Sequence, residues 1–435
     1  ISFFGLGYVG LTMAACFASR GFDVIGYDVD NSKVKMLKEK KAPIFEPGIA
    51  KLIAESGDLL QATGDPTEAV AGSDFIFITT GTPSRDDGSI DIRYVEAAAK
   101  TIGSLLNTSG VYPVIVVKST VVPGTTGGQI RNQLESASGR AAGDDFGLTM
   151  NPEFLKEGHA VEDMLKPDRL VIGEVNKKSG DALVSLYDDF YRHSLPPLVR
   201  TTLENAELIK YANNSFLALK ISFANSIARL CEVIPGGDVD MIMKGIGLDS
   251  RIGNSFLRAG IAWGGSCFPK DLKAIRSFAK QKGVRLELVD ASLEVNKEGP
   301  VQVVDRCASI MGGLSGKTVA LLGLAFKPDT DDIRESPAIM VGVELIRRGA
   351  TVKAFDPVIK SAPNGFILSS DIVECLRGAD IALLATEWKE FQKIEPKLFA
   401  SVMRTAVVMD TRRVYEREAF TAAGVRLFQL GRGEK

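Results

Sequence analysis

Histidine and cysteine are both scarce in this 435-residue sequence, which contains two histidines and five cysteines. Two histidines are too few for a histidine-rich metal site and leave little material for a serine, histidine and aspartate triad. An odd number of scattered cysteines argues against a disulfide framework or a CxxC metal site, so we expect reduced thiols and no bound metal. Any chemistry must therefore use Cys, Lys, Asp, Glu and Thr. The histidines are His159 and His193, and the cysteines are Cys16, Cys231, Cys267, Cys307 and Cys375.

An excess of basic residues and a long apolar run are also missing. The 52 Lys and Arg residues are balanced by 54 Asp and Glu residues, for a net charge of −2, which predicts no basic face for nucleic acid. No apolar run approaches the roughly 18 residues needed to cross a bilayer, and the opening ISFFGLGYVG has no basic leader region and no cleavage site. We therefore predict a cytoplasmic protein without a nucleic-acid or membrane partner.

Strand-like apolar segments alternate with helical segments in the first part of the chain. At 435 residues the chain is long enough for two to four domains of roughly 100 to 200 residues each. The alternation over residues 1–197 is typical of a doubly wound parallel sheet. We expect this first, dinucleotide-binding domain to end near Pro196 and Pro197. Its strands are predicted at 1–4, 22–28, 73–80 and 112–120 and around Leu148 and Val171.

The pattern changes at Thr201. Thr201 and Glu204 form a capping-box signature, and the chain then runs to about Glu232 without proline or glycine, which predicts one long helix. Further helical segments continue to about Asn296, so residues 198–298 are predicted to form a helical domain that also makes the contact of a homodimer. Buried strand-like segments after Gly316 predict a second α/β domain over residues 299–435. The expected fold class is α/β, with two Rossmann-like doubly wound parallel-sheet domains joined by a helical middle domain.

Three glycines near the start predict a dinucleotide site. Gly5, Gly7 and Gly10 form a G-x-G-x-x-G between a predicted strand and a predicted helix, where the backbone can approach a pyrophosphate. Asp28 closes the next strand, where a carboxylate can bind the adenosine ribose, and no arginine follows it directly to favour a 2′-phosphate. The cofactor is therefore predicted to be NAD. Gly323, after the first strand of the second α/β domain, lacks such a fingerprint, and Lys327 there is expected to neutralise substrate phosphate.

A cysteine at a predicted helix start is the second candidate site. In GGSCFPKD, Pro269 fits the first turn of the helix that follows, which puts Cys267 at the helix N-terminus. The partial positive charge there, with Lys270 beside it, favours a thiolate. Gly264 and Gly265 would let a substrate approach the backbone. For an arbitrary cysteine the alternative is a buried structural thiol.

The segments GGSCFPKD and, upstream, RIGNSFLRAG resemble the active-site signature of the UDP-glucose/GDP-mannose dehydrogenase family. The resemblance continues in order along nearly the whole chain and is closest to the UDP-glucose members, although GDP-mannose and UDP-N-acetylhexosamine members are similar over the same regions. The other matching segments are FGLGYVG at 4–10, GTPS at 81–84, STVVPGTT at 119–126, NPEFLKEG at 151–158, ELIKYANNSF at 207–216 and FKPDTDDIRESP at 326–337.

The resemblance implies that the chain oxidises a sugar's primary alcohol to a carboxylate with two NAD⁺ in succession. The first step makes an aldehyde, to which Cys267 adds as a thiohemiacetal that is oxidised to a thioester and hydrolysed. Lys210 and Asn214, spaced i and i+4 on the long helix, resemble the family's oxyanion donors. Asp271 and Thr120 resemble the residues that hold and activate water, and Glu153 resembles the acid/base glutamate.

The resemblance also implies contacts with the cofactor and the substrate. Lys327 and Arg412 would meet the substrate's pyrophosphate and sugar, Phe256 and Trp263 would line its pocket, and Arg251 would come from the partner subunit of a homodimer. The implied cofactor contacts are Gly5, Gly7, Tyr8, Val9, Gly10, Asp28, Lys33, Thr82, Pro83, Ser119, Thr120, Glu157 and Arg334. The implied substrate contacts are Glu153, Phe154, Leu155, Lys156, Glu157, Lys210, Asn214, Arg251, Phe256, Arg258, Trp263, Gly264, Phe326, Lys327 and Arg412.

Two departures and two alternatives accompany this interpretation. The family's usual Asp-Gly-Arg is Asp410-Thr411-Arg412 here, so we expect a different local turn, and the start at Ile1 without a methionine leads us to expect a shortened first strand.

A β-hydroxyacid dehydrogenase would share the Rossmann start but would need neither Cys267 nor a second α/β domain. A non-catalytic sensor of NAD or nucleotide sugars is the alternative from another class, and the complete set of candidate catalytic residues argues against it.

Overall fold

A computed structural model of the protein describes residues 1–106 and 112–433. The chain divides into two compact units, one formed by residues 1–213 with 273–281 and the other by residues 214–272 with the chain from 282 onward. Each unit contains one β-sheet, and the two are described in turn.

The first unit is built on a sheet of eight strands within the described residues, in the order β3-β2-β1-β4-β5-β6-β7-β8. All neighbouring pairs are parallel except β6 and β7, which are antiparallel. The order reverses between β1 and β4, and ligands of open α/β sheets bind at such a switch point. The strands are β1 (Ser2–Phe4), β2 (Val24–Tyr27), β3 (Leu60–Thr63), β4 (Phe75–Ile78), β5 (Val114–Val117), β6 (Gly147–Met150), β7 (Leu170–Glu174) and β8 (Leu198–Thr201).

Helices connect these strands and cover the sheet. Helix α1 (Tyr8–Ser19) buries nearly its whole length because its small and apolar residues pack on the sheet, where the ring centroids of Phe17 and Phe77 of β4 lie 5.9 Å apart. The helices are α1 (Tyr8–Ser19), α2 (Asn31–Lys38), α3 (Ile49–Glu55), α4 (Pro66–Val70), α5 (Arg93–Leu106), α6 (Arg131–Ser138), α7 (Ala160–Leu165) and α8 (Lys177–Phe190), with a 3₁₀ turn at Gly57–Leu59 and a π-helical segment at Thr126–Ile130.

The start of the long helix differs from the predicted capping box. Thr201 ends β8, which pairs with β7, and therefore belongs to the sheet. The helix begins at Leu203, and its cap is Thr202, whose Oγ1 accepts a hydrogen bond from the Asn205 backbone N–H at 3.3 Å. The capping-box prediction was thus wrong by one residue, because strand pairing claims Thr201.

The second unit contains most of the helical middle of the chain. Its long helix ends at Glu232 as predicted, but the last helix of the region continues beyond Asn296 to Met311, where Gly312 adopts a left-handed φ of 66° and ends it. Two of these helices also contribute residues to the first unit, namely residues 203–213 of the long helix and residues 273–281 of a later one. The helices are α9 (Leu203–Glu232), α10 (Val239–Gly247), α11 (Phe268–Gln281) and α12 (Glu287–Met311).

The sheet of the second unit has six strands in the described residues, all parallel, in the order β11-β10-β9-β12-β13-β14. Its central strands are buried except for the half-buried Thr318 at the start of β9, as their continuous apolar runs predict. The strands are β9 (Thr318–Leu322), β10 (Thr351–Phe355), β11 (Phe366–Leu368), β12 (Ile381–Leu384), β13 (Val407–Asp410) and β14 (Arg426–Gln429), and the helices are α13 (Pro337–Arg347), α14 (Ile372–Leu376), α15 (Lys389–Gln392), α16 (Pro396–Val402) and α17 (Arg417–Ala422).

The predicted fold class is confirmed: two α/β sheets are separated along the chain by a helical region. The antiparallel β7 is a local departure of a kind that is common in otherwise parallel sheets. Within the described part of the chain, no helix is both long and apolar enough to cross a membrane.

Candidate active site

The glycine loop between β1 and α1 has the backbone geometry of a phosphate-binding turn. Gly5 has a φ of 106°, which side-chain-bearing residues rarely adopt. A Cβ at Gly10 would lie 1.9 Å from the Gly5 carbonyl oxygen and 2.5 Å from Thr79 Oγ1, whereas a Cβ at Gly7 would meet no atom within 4 Å. Gly10 is therefore needed for packing, and Gly7 leaves open space at the N-terminus of α1, where an anion is stabilised.

Asp28 follows β2 directly and is nearly fully buried. Its Oδ2 accepts hydrogen bonds from the Leu6 backbone N–H at 2.7 Å and from Lys33 Nζ at 3.2 Å, and its Oδ1 accepts one from the Asp30 N–H at 2.9 Å. The carboxylate thus holds the glycine loop as well as standing where a ribose hydroxyl is expected. The arrangement fits NAD, with Lys33 paired to the carboxylate rather than placed to hold a 2′-phosphate.

Other candidate cofactor residues lie in the first turn of α1 and in loops at the carboxyl ends of the strands. Tyr8 OH accepts a hydrogen bond from the Gly158 N–H at 2.9 Å, which ties α1 to the loop that carries half-buried Glu157. Ser119 Oγ donates to the Thr80 carbonyl at 2.6 Å, and so joins the loops after β5 and β4. Thr82 is buried, Pro83 is exposed, and Val9 and Thr120 are half-buried.

Glu153 and Lys210 form a buried ion pair in the first unit. Lys210 Nζ donates to Glu153 Oε1 at 2.7 Å and to the Glu153 carbonyl oxygen at 2.8 Å, and Glu153 Oε2 accepts from the Leu155 N–H at 2.6 Å. Burial alone would raise the pKa of Glu153, but the Lys210 ammonium and these hydrogen bonds hold it below its usual value. Glu153 is therefore ionised at neutral pH, next to a lysine that can donate to a substrate oxygen.

A second lysine, Lys118, lies beside this pair. Its Nζ donates to Asn151 Oδ1 at 2.7 Å and to the Pro152 carbonyl at 3.4 Å, and Asn151 also accepts from Tyr187 OH at 2.5 Å. Burial lowers the pKa of Lys118 to about 7. A neutral amine has two N–H bonds, and both are used by the two acceptor oxygens. Lys118 therefore supports the loop of Glu153 through both acceptor oxygens, and its amine is only partly protonated at neutral pH.

In the second unit, Asn214 and Asp271 are joined. Asn214 Nδ2 donates to Asp271 Oδ2 at 2.7 Å, and both residues are buried. The other carboxylate oxygen of Asp271 accepts a hydrogen bond from Lys270 Nζ at 2.6 Å. The Lys270 ammonium, expected to act on Cys267, thus lies against the Asp271 carboxyl group in the first turn of α11.

Cys267 immediately precedes α11, and its carbonyl accepts the first helical hydrogen bond from the Asp271 N–H at 2.9 Å, as Pro269 predicts. Cys267 is half-buried. The remaining cysteines are buried, and burial raises the pKa of Cys16, Cys307 and Cys375 to about 12. Cys267 is thus the cysteine whose exposure suits nucleophilic chemistry.

The glycines before Cys267 have a packing role that the sequence did not predict. A Cβ at Gly264 would lie 2.4 Å from the Glu335 carbonyl oxygen, and a Cβ at Gly265, whose φ is 85°, would lie 2.8 Å from the ring of Phe326. Both glycines let the chain pack against the segment 326–337 of its own unit. Close approach of a substrate to these glycines stays a prediction.

Arg258 and Arg412 share one carboxylate. Glu387 Oε1 accepts from Arg412 Nη2 at 2.5 Å and from Arg258 Nη1 at 3.4 Å, and its other oxygen pairs with Arg412 Nε. Burial would raise the pKa of Glu387, but the two guanidinium groups hold it below its usual value. Two candidate substrate arginines are therefore held side by side before any phosphate arrives.

The turn after β13 accommodates the departure from the family pattern. Thr411 donates from Oγ1 to the Leu384 carbonyl at 2.7 Å, and it is Arg413, with a φ of 55°, that adopts the left-handed conformation. The Asp410 carboxylate accepts from the backbone N–H groups of both Arg412 and Arg413, at 2.9 and 2.7 Å. The turn therefore needs no glycine at position 411.

The remaining candidates lie in mixed environments. Trp263 is buried, and its indole N–H donates to Ser222 Oγ at 2.9 Å, so its side chain stabilises the helical region. Arg251 and Arg334 are exposed and pair with Asp249 and Asp332. The ring of Phe256 lies 6.3 Å from that of Phe268, and Lys327 Nζ lies 5.5 Å from the ring of Phe326. The guanidinium of Arg169 lies 3.7 Å from the ring of Phe154, and Leu155 is half-buried. Lys156 pairs with Asp163 at 3.0 Å.

Sequence reasoning missed four residues that hold the candidate site. Glu46 accepts hydrogen bonds from the Gly158 and Ala160 N–H groups at 2.7 Å each. Lys118, Glu207 and Glu387 are the others, and each is buried or largely buried. In the sequence they look like ordinary surface charges, because their partners are distant along the chain.

Comparison with family models assigns the parts of the chain. Residues 1–191 match the NAD binding domain of the UDP-glucose/GDP-mannose dehydrogenase family, residues 204–298 its central domain and residues 320–417 its UDP binding domain. Together with the glycine loop and Asp28, these matches define an NAD-dependent oxidoreductase. The chain belongs to the UDP-glucose/GDP-mannose dehydrogenase family.

Individual relatives match over the full length. The UDP-glucose 6-dehydrogenase AglM of Haloferax volcanii is 44% identical over 423 residues, covering 96% of this chain and 97% of its own. The structure of a UDP-glucose dehydrogenase from Pyrobaculum islandicum is 37% identical with a TM-score of 0.89, covering 100% of this chain and 96% of that one. A UDP-D-ManNAc dehydrogenase structure from Pyrococcus horikoshii is 26% identical with a TM-score of 0.88, covering 100% of both chains.

The loop geometry predicts different effects of serine at Gly10 and at Gly7. Gly10→Ser should lower the free energy of unfolding by about 1 to 3 kcal/mol, because the new Cβ overlaps the Gly5 carbonyl. Gly7→Ser should keep wild-type stability, because its Cβ has open space and serine is a favoured N-cap residue. Both variants should bind NAD more weakly, measured by titration beside denaturant unfolding. Wild-type stability of Gly10→Ser would contradict this account of the loop.

Proposed function

We propose that the protein is a UDP-glucose 6-dehydrogenase that converts UDP-glucose, two NAD⁺ and water into UDP-glucuronate and two NADH. The observation that carries this proposal is the half-buried Cys267 at the start of α11, one turn before the buried Asp271 and Asn214 pair. Support comes from the 44% and 37% identical relatives, both named for UDP-glucose, whereas the UDP-D-ManNAc enzyme is 26% identical. The same reaction on GDP-mannose or a UDP-N-acetylhexosamine is the second candidate.

In the first oxidation the sugar C6 hydroxyl loses its proton and C6 loses a hydride, which leaves an aldehyde. The glycine loop, Asp28 and the loops after β4 and β5 would hold NAD, which when bound would supply the hydride acceptor for each oxidation. We assign Lys210 and Asn214 to stabilise negative charge on the substrate oxygen, a role that the burial of both side chains strengthens. Thr120 and Asp271 are assigned to the water that takes the proton.

In the second oxidation the Cys267 thiolate adds to the aldehyde carbon and forms a carbon–sulfur bond. The resulting thiohemiacetal loses a hydride and a proton and becomes a thioester. Water then adds to the thioester carbonyl, the carbon–sulfur bond breaks, and Cys267 leaves as a thiolate. Glu153, ionised beside Lys210, is assigned to transfer the proton of this hydrolysis. The aldehyde thus stays attached to the protein between the two oxidations.

The nucleotide end of the substrate is assigned to the second unit, whose UDP binding domain match spans residues 320–417. Arg258 and Arg412 are the candidate phosphate ligands, since their guanidinium groups are already oriented by Glu387. Lys327, Phe256 and Gly264 are candidates for further contacts. We retain the division into a cofactor domain at 1–197, a helical domain at 198–298 and a nucleotide-sugar domain at 299–435 as a functional proposal.

We also propose that the protein acts in the cytoplasm. Cys16, Cys231, Cys307 and Cys375 are buried thiols rather than disulfide partners, as expected in a reducing compartment. Fractionation of the source cells tests this assignment, and recovery of the protein outside the cytoplasmic fraction would contradict it.

The proposed reaction predicts a fixed stoichiometry. With limiting UDP-glucose and excess NAD⁺, about two NADH should form for each nucleotide sugar, because two hydrides leave the same carbon. The absorbance of NADH measures this directly, with GDP-mannose and UDP-N-acetylmannosamine tested in parallel. One NADH per sugar would instead indicate a simple alcohol dehydrogenase. No NADH with any of the sugars would indicate a sensor, and two NADH with another sugar only would correct the substrate.

We further propose that the protein forms a homodimer through its helical region. In this dimer Arg251 of each subunit would reach the active site of the other subunit. Phe216, Phe223 and Leu230 are exposed and spaced seven residues apart on α9, which makes one apolar stripe. Phe223→Asp should therefore shift the protein from dimer to monomer in sedimentation velocity experiments at micromolar concentration. Ile367→Asp, at an exposed apolar residue of β11, is the control and should leave the dimer intact. A monomeric wild-type protein would contradict the proposal.

A further inference from the structure

A buried carboxylate of the first unit lies outside the mechanism described so far. Glu207 is on α9, has 0% of its surface exposed, and lies three residues before Lys210. Its Oε2 accepts a hydrogen bond from the Gly124 N–H at 2.6 Å, and its Oε1 accepts one from the Thr126 N–H at 2.7 Å. Each carboxylate oxygen thus holds one backbone group of the same loop.

That loop begins at the end of β5 and contains Thr120 before it reaches Gly124. Gly124 has a φ of 89°, and the π-helical segment Thr126–Ile130 follows. Both features leave backbone N–H groups that no regular helix or strand satisfies, so the loop depends on an outside acceptor. Glu207 supplies that acceptor from the helix that also carries Lys210.

Burying a carboxylate is costly, and here burial raises the pKa of Glu207 to about 7 although the two N–H bonds favour the ionised form. A glutamine would fill the same volume without a charge, but its amide has one acceptor oxygen and could satisfy one of the two N–H groups. The two-oxygen acceptor therefore serves the geometry of the loop at the expense of stability.

We propose that Glu207 is a positioning residue that fixes the Thr120 loop to α9, so that Thr120 keeps a constant place relative to Lys210 and Glu153. The proposal rests on the proposed function only in assigning Thr120 to the reacting water. Glu207 touches neither substrate nor cofactor in this role. It acts through the two backbone groups that it holds.

The test compares Glu207→Gln with Glu204→Gln, a control at an exposed carboxylate one turn earlier on α9. In Glu207→Gln, kcat should fall by about tenfold or more while KM for UDP-glucose and NAD stays within about threefold of wild type, because alignment is lost rather than binding. Amide hydrogen exchange in the segment 121–127 should become faster in the same variant. The control should match wild type in both measurements.

The proposal is overturned if kcat and exchange both match the control, if exchange rises without a loss of kcat, or if kcat, KM and thermal midpoint all worsen together as in a general loss of structure. Should Glu207→Gln fail to fold, Glu207→Asp is measured instead, since it keeps both oxygens but retracts them by one methylene. A lower kcat at unchanged KM supports the proposal, and wild-type kcat overturns it. An inactive wild type on UDP-glucose would refute the substrate assignment separately, and the kinetics would then use the sugar that yields NADH.

Discussion

The buried ion pair of Glu153 and Lys210 is the constraint on which the arrangement of the first unit depends. Two charges in an apolar interior are tolerated only as partners, and removing either would leave the other uncompensated at a cost of about 3 to 5 kcal/mol. The pair therefore fixes α9 against the loop after β6. Lys118, whose pKa burial lowers to about 7, supports that loop by hydrogen bonds to the oxygens of Asn151 and Pro152.

The loops at the carboxyl ends of the strands are held in place by hydrogen bonds. In each of these bonds a side chain of one segment pairs with a backbone group of another. Asp28 holds the loop after β1, Ser119 joins the loops after β4 and β5, and Glu46 and Tyr8 hold the loop after β6. Such loops are mobile in the absence of anchors. Binding of a cofactor and stabilisation of a developing charge both require that these loops are already in position. In the second unit Glu387 prepares Arg258 and Arg412 in a similar way.

The parts of the fold that sequence could predict are those with local physical causes. Gly5 and Gly10 are required by a positive φ and by a close backbone approach, and Pro269 marks the start of α11. Strand pairing caused the errors: β8 takes Thr201 from the predicted cap, and the direction of β7 has no local signal. Glu207 and Glu46 escaped notice because their partners lie 81 to 114 residues away along the chain. The roles of Lys210, Asn214 and Glu153 rest on family resemblance, since helix spacing alone would describe Lys210 as an exposed lysine.

The central claim is that Cys267 carries the substrate between the two oxidations, and the NADH produced by Cys267→Ser with UDP-glucose and NAD⁺ tests it most directly. The account predicts nucleotide-sugar binding like that of wild type, together with loss of turnover or a stalled reaction that yields no more than about two NADH per enzyme molecule. Sustained NADH formation by Cys267→Ser at the wild-type rate would contradict the account.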